Sequence, residues 1–274
     1  TTGHSNVAMG TSALQANTTA AENTAIGSSC MAYNTTGTAN TALGRNALRE
    51  NTTASSNTAI GFEALKENTT GFQNTVVGSN AGDAITTGGN CTAVGMSALS
   101  SNTTANDNTA VGYNALFSNT TAGHNTAVGR GALFANTTGS QLVALGSRAL
   151  ESNTTASNNV AIGYSAVRET TTGTNNVGIG VDALQQNTTG NNNTAVGALA
   201  LDSCTTGSSN TSIGRSNMSG NSDGSNNVAI GTFCMDTGSG MNYNVAVGHD
   251  TARSVTTGGN NVMLGHAAGH SNSP

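Results

Sequence analysis

A glycine recurs every 17 residues through the whole chain, without one insertion or deletion between its occurrences. Loops of globular proteins tolerate length changes, whereas stacked coils cannot absorb one without disturbing the register of their neighbours. The spacing therefore predicts a solenoid. We expect an all-β fold, a parallel β-solenoid of 16 coils that forms a single repeat domain over residues 1–274. The repeat glycines are Gly10, Gly27, Gly44, Gly61, Gly78, Gly95, Gly112, Gly129, Gly146, Gly163, Gly180, Gly197, Gly214, Gly231, Gly248 and Gly265.

The residues around each glycine indicate β-structure. The consensus is Asn-Thr-Ala-Val-Gly, then Ala-Leu, then Asn-Thr-Thr, as in the segment from Asn108 to Thr121. Small and larger residues alternate before the glycine, which suits a strand. We expect a second strand near the Ala-Leu pair or the Asn-Thr-Thr. Thr, Asn and Gly are poor helix formers, so we expect no helix.

The residue before every repeat glycine is aliphatic, and the residue before that one is usually Ala. Adjacent strand residues face opposite sides, so these two columns cannot both point into the coil. If Ala and Gly fill the interior, the larger aliphatics face outward and need partner chains. The opposite arrangement, with Val and Leu inside, gives a self-sufficient monomer. The first arrangement predicts an oligomer interface at Ile26, Ile60, Val94, Val111, Val128, Ile162, Val196 and Ile230.

An Asn followed by Thr-Thr stands three residues after the Leu of many coils. Ile85, Cys204 and Val255 replace it elsewhere, which indicates a side chain that points inward. We interpret the column as a buried ladder of stacked amides. Asn-Thr-Thr is also a glycosylation sequon, but glycans on successive coils would collide. The ladder residues are Asn17, Asn34, Asn51, Asn68, Asn102, Asn119, Asn136, Asn153 and Asn187.

Composition excludes several classes of function. The net charge of −5, without basic clusters, argues against a nucleic-acid partner, and no apolar run is long enough to insert into a membrane.

The four cysteines lie in different coils, too far apart for a disulfide framework. No catalytic arrangement stands out, so we expect neither an enzyme nor a cofactor. His249 and His266 share a column beside Asp250 and are weak metal candidates, against a favoured interpretation as ordinary solvated histidines.

The two ends of the sequence both fall inside a repeat. Thr1-Thr2-Gly3 matches the end of a coil and Pro274 interrupts one, so we expect a piece of a longer protein. Residues 215–274 form degenerate coils, in which Asn217 and Thr251 occupy an Ala column. Such degeneration is typical of a cap or of a junction with another domain.

Three segments, Asn23–Gly27, Asn159–Gly163 and Asn227–Gly231, resemble the head repeats of bacterial trimeric autotransporter adhesins. The fuller unit from Asn108 to Thr121 is similar to repeats of phage-type tail-fibre proteins that carry an endosialidase-like chaperone domain. The resemblance extends over the whole chain. It implies a left-handed β-roll, three chains wound side by side, and a role in attachment to surfaces or host receptors.

The main functional hypothesis is therefore a non-catalytic fibre segment, located outside the cell, on the cell surface or on a virion. Its partners would be two further copies of the chain, as a homotrimer, and a host-surface receptor or glycan. The alternative is an ice- or surface-binding solenoid, because Thr-Thr pairs such as Thr18-Thr19 and Thr35-Thr36 recur in thirteen coils. A third hypothesis, a carbohydrate-degrading spike, lacks the clustered carboxylates and aromatic platforms that it would need.

Overall fold

The fold is described from a computed structural model of residues 2–255 and 258–270. Thr1, the Thr256-Thr257 pair and Pro274, on which some of the expectations above rest, lie outside the described residues. The chain divides into two compact units, Thr1–Thr138 and Gly139–Pro274. Each unit is a parallel β-solenoid with the 17-residue repeat, which confirms the predicted fold class.

Each coil contributes one strand of three residues that ends just before the repeat glycine. Within each unit, every strand pairs in parallel with the corresponding strand of the neighbouring coil, so that Ala93 lies opposite Ala110 in the first unit and Ala161 opposite Gly178 in the second. The strands of the first unit are β1 Val7–Met9, β2 Thr24–Ile26, β3 Thr41–Leu43, β4 Thr58–Ile60, β5 Thr75–Val77, β6 Thr92–Val94, β7 Thr109–Val111 and β8 Thr126–Val128. Those of the second unit are β9 Val143–Leu145, β10 Val160–Ile162, β11 Val177–Ile179, β12 Thr194–Val196, β13 Thr211–Ile213, β14 Val228–Ile230, β15 Val245–Val247 and β16 Val262–Leu264.

The expected second strand of each coil is absent from the described residues, and that prediction was wrong. The reason is backbone geometry after the glycine, where left-handed residues alternate with ordinary ones, as at Asn46 (φ 58°) and Leu48 (φ 51°). These segments are turns, yet they still bond to the next coil. Leu48 N donates to Ala64 O at 3.0 Å, and Thr35 N donates to Thr52 O at 2.9 Å.

The repeat glycine is required for two separate reasons. Gly44 has a φ of +142°, a conformation that residues with a Cβ rarely adopt. A Cβ added there would also lie 2.2 Å from the carbonyl oxygen of Gly61 in the next coil. The close approach of successive coils therefore explains why this column accepts no other residue.

The core combines the two arrangements that the sequence left open. The middle residue of the strand, such as Ala110, is fully buried, while Val111 beside it is partly exposed. The Leu column is buried as well, since both Ala115 and Leu116 are inaccessible to solvent. Strand alternation does not apply to that pair because Leu116 has a φ of 52°. The Val column thus faces outward as in the first arrangement and the Leu column faces inward as in the second, because the left-handed turn directs Leu into the coil.

In one coil of the first unit, three core positions carry residues that differ in size from the consensus. Val76 replaces the usual Ala, Gly82 replaces the usual Leu, and Ile85 replaces the usual Asn. A Cβ on Gly82 would lie 3.0 Å from Ile85 Cδ1 and 3.4 Å from Val76 Cγ2. The two enlarged side chains therefore fill the space that the missing Leu leaves, as close packing requires.

The degenerate coils of residues 215–274 keep the strand register through β16. Polar residues in the Ala column are accommodated by hydrogen bonds to the backbone. Asn217 Nδ2 donates to Ile213 O at 2.7 Å, and Thr251 Oγ1 donates to Gly265 O at 2.6 Å. Met218 and Met235 fill the Leu column there and are fully buried.

Candidate interaction surface

The turn asparagines, three residues after the Leu column, hold successive coils together from inside. Asn51 Nδ2 donates to Asn34 Oδ1 of the preceding coil at 2.7 Å and to Ala54 O at 3.0 Å. Asn68 Nδ2 in turn donates to Asn51 Oδ1 at 3.0 Å. Among the nine asparagines of the predicted ladder, all except the half-buried Asn17 are fully buried. The burial of these eight side chains leaves no room for a glycan on them.

A second asparagine column, the strand asparagines, lies directly before the strands, and sequence reasoning missed it. Asn40 Nδ2 donates to Ala54 O at 2.9 Å, so strand and turn asparagines of one coil share the same carbonyl acceptor. Asn40 Oδ1 accepts from the backbone N–H of Asn57 in the next coil at 2.9 Å. The available signal was the near-invariance of this Asn, which only Cys91 and Leu142 replace.

Where the turn asparagine is replaced, its neighbour loses a hydrogen bond. Asn68 Oδ1 and Asn187 Oδ1 are buried without a hydrogen-bond partner. The next coils carry Ile85 and Cys204 at this position, and neither side chain has an amide to donate.

The outer strand face consists of the first and third side chains of each strand, which point away from the coil. The first is Thr or Val and the third is aliphatic, and neither column contains a charged residue. The structure places the eight predicted interface residues on this face. Val128, Ile162 and Ile230 are 37 to 38% exposed, and the other five are half-buried. The face is therefore accessible and apolar, and it repeats at every coil.

The residue after the repeat glycine is also solvent-accessible and brings further apolar groups. Phe62, Met96, Tyr113, Tyr164 and Val181 stand there and are 44 to 50% exposed. Charge begins in the same column, for example with Arg45, whose guanidinium lies 5.8 Å from the centre of the Phe62 ring. Apolar side chains with interspersed arginines are typical of interface composition.

The outer strand face of one unit is comparable in area to the largest apolar patch of a typical soluble monomer. A coil spacing of about 4.8 Å and a width of roughly 10 Å give about 50 Å² per coil, or about 400 Å² for a unit of eight coils. Patches of a few hundred Å² are the largest that typical monomers expose, and they are often functional.

In the Thr-Thr pairs from Thr35-Thr36 to Thr205-Thr206, the two threonines differ in their surroundings. The first is half-buried, and its hydroxyl donates to the next coil, as Thr35 Oγ1 does to Thr52 O at 2.9 Å. The second, such as Thr36, is exposed. The pairs therefore present one exposed Thr per coil to the solvent, since the other hydroxyl is used within the solenoid.

The two candidate metal ligands lie together in the second unit. The rings of His249 and His266 stack with centres 5.5 Å apart and an angle of 10° between their planes. His249 Nδ1 lies 2.9 Å from Asp250 Oδ2. One ligand atom from each of the three residues falls within 4.8 Å of the others.

The four cysteines are free and buried in the folded chain. Burial raises the pKa of each thiol, at Cys30, Cys91, Cys204 and Cys234, to about 11. The thiolate is the reactive form of cysteine, so these side chains are inert packing residues at neutral pH.

Comparison with known proteins gave no match to any family model, curated protein or solved structure. In residues 2–255 and 258–270, no helix is present that could cross a membrane.

Proposed function

We propose that this chain is a non-catalytic structural segment of an attachment fibre, located outside the cell, on the cell surface or on a virion. Three copies associate through their outer strand faces, and the assembled segment presents its turns to a host-surface receptor or glycan. The number three comes from the resemblance to adhesin head and tail-fibre repeats.

The observation that carries this proposal is the uncharged outer strand face. Aliphatic side chains repeat along it at every coil, from Ile26 in the first unit to Ile230 in the second, and water contacts them in the isolated chain. Covering apolar surface is favourable by about 25 cal/mol per Å² before the costs of association. A face of this size therefore favours association with a matching surface, and an identical face on another copy matches it coil by coil.

Charge placed on this face tests the association. In the double variant Val94→Glu/Val111→Glu, the carboxylates lie in successive coils of the first unit, and we expect the chain to sediment as a monomer. The control, Thr104→Glu/Thr121→Glu, places the same charges in the column of exposed threonines and should leave the assembly intact. Circular dichroism verifies that both variants remain folded. Equal sedimentation of both variants with the unsubstituted chain would contradict the proposal.

Attachment is tested separately with fluorescently labelled chain on cell surfaces and immobilised glycans. The assembled chain should be retained, and the Val94→Glu/Val111→Glu variant should be retained at least tenfold less because multivalency is lost. If the assembled chain bound no cell or glycan surface, the attachment role would be excluded while the association could still stand.

The Thr-rich alternative has one observation in its favour, the column of exposed threonines such as Thr36 and Thr53. Their coil spacing of about 4.8 Å makes a regular array. We rank it second because the first Thr of a pair, such as Thr35 or Thr52, donates its hydroxyl to a carbonyl of the next coil. A thermal hysteresis assay distinguishes the two functions, since an ice-binding surface gives activity and a fibre segment gives none.

A further inference from the structure

A cluster of two histidines and one aspartate lies on the surface of the second unit, apart from the outer strand face. His249 and His266 each follow a repeat glycine in successive coils, so the solenoid stacks them directly. Asp250 is adjacent to His249 in the chain and lies 2.9 Å from its Nδ1 through Oδ2. Within the described ranges, this is the one group of three such side chains close enough to hold a metal ion.

Neighbouring side chains hold the cluster in place. Arg253 Nη1 donates to Asp250 Oδ1 at 2.9 Å. This hydrogen bond directs the other carboxylate oxygen of Asp250 towards His249. The Arg253 guanidinium lies 4.7 Å from the centre of the Phe233 ring, and the same ring meets His249 edge-on at 6.3 Å. Supported ligands of this kind are typical of metal sites, where surrounding groups fix the orientation of each ligand.

We propose that His249, Asp250 and His266 bind a divalent transition-metal ion, with Zn²⁺ as the representative. Two imidazole nitrogens and one carboxylate oxygen form a ligand set that suits zinc, copper or nickel, whereas calcium and magnesium prefer oxygen ligands alone. Tetrahedral zinc at about 2.0 to 2.1 Å from each ligand needs ligand atoms roughly 3.3 Å apart. The present separation, within 4.8 Å, closes by rotation of the two exposed rings. Water completes the coordination.

The ion would join two successive coils near the end of the described chain. His249 and Asp250 follow β15 in the chain, and His266 follows β16 in the next coil. Because the ligands come together only when both coils are folded, bound metal stabilises them by mass action. Bound metal would therefore cross-link two successive degenerate coils.

The test is calorimetric titration of the metal-free chain, in its native assembly, with ZnCl₂. We expect one Zn²⁺ per chain, with binding abolished in His249→Gln/His266→Gln and weakened at least tenfold in Asp250→Asn. The matched control is His124→Gln, because His124 is an exposed histidine whose Nδ1 also lies near a carboxylate, 3.8 Å from Asp107 Oδ2. That variant should bind Zn²⁺ like the unsubstituted chain.

Hydrogen exchange provides a second readout. Zn²⁺ should slow exchange in β15 and β16 of the unsubstituted chain and leave the first unit unchanged. Unchanged binding in the double histidine variant would place the metal elsewhere, and absence of binding to the unsubstituted chain at millimolar Zn²⁺ would exclude the site. Circular dichroism checks that the variants keep the fold, so that lost binding reports lost ligands.

Discussion

Asparagine is the residue on which the stacking of coils depends. Turn asparagines such as Asn51 and Asn68 donate both to an Asn side chain of the preceding coil and to a carbonyl of their own coil. Strand asparagines such as Asn40 donate to the same carbonyl from the other end of the coil. Buried amides are costly without partners, so their pairing both stabilises the fold and specifies the coil length.

Removing one turn asparagine should therefore be expensive. Asn51→Ala deletes two donated bonds and leaves Asn34 Oδ1 buried without that donor, which should lower the free energy of unfolding by about 2 to 3 kcal/mol. Thr53→Ala, at an exposed position two residues later, should change it by less than about 0.5 kcal/mol. Urea unfolding followed by circular dichroism measures both, and equal midpoints would contradict a structural role for the amide ladder.

The converse change should stabilise the second unit. In Cys204→Asn, the new amide can donate to Asn187 Oδ1, which is buried without a partner, and to Gly207 O, which Cys204 Sγ approaches at 3.6 Å. We expect a gain of about 1 kcal/mol in the free energy of unfolding. A loss of stability in the same assay would show that volume at this position matters more than hydrogen bonding.

At the scale of the element, each coil is one short strand followed by stacked turns. Left-handed residues such as Leu48 make this possible, because they turn the chain while directing a large side chain inward. Backbone N–H groups of the turns, such as those of Leu48 and Glu50, still donate to the next coil, so a coil needs no second strand. The interior is close-packed, and coils that depart from consensus do so in matched groups, as Val76, Gly82 and Ile85 show.

This matching predicts strong coupling between core positions. Gly82→Leu restores a residue that other coils accept at the same φ, but it places side-chain atoms against Ile85 and Val76 and should cost about 1 to 3 kcal/mol. The triple variant Val76→Ala/Gly82→Leu/Ile85→Asn should recover that loss, because the new Asn also reaches Asn68 Oδ1. Thermal unfolding of both variants measures the coupling. Additive losses in the triple variant would contradict it.

At the scale of the whole molecule, the sequence predicted the architecture through the spacing of residues such as Gly44 and Gly61. A close approach of backbones allows only glycine there, so the period is visible without a structure. The inward direction of Asn51 could be inferred because apolar Ile85 stands in its column. The direction of Leu48 could not, since it depends on the sign of φ in a turn, which residue type does not reveal. Strand alternation also left open which side of the strand the Val column occupies. The structure places Ala inside, so the Val column faces outward.

The proposed surfaces differ in how far the sequence alone could identify them. The aliphatic column was visible as a set of residues, but its exposure required the structure. The histidine column was visible too. The bond from Arg253 to Asp250 within one coil and the contact of Phe233 with His249 between coils required the structure. The strand asparagines were overlooked because they were assigned to the strand and its alternation, although they lie just before it.

We propose that other copies of the chain cover the outer strand face. Light scattering of the purified segment at several concentrations measures the molar mass directly. We expect a mass near three times 27.0 kDa that persists on dilution. A stable monomer of 27.0 kDa at all concentrations would contradict it and would leave the aliphatic face exposed to water or to a different partner.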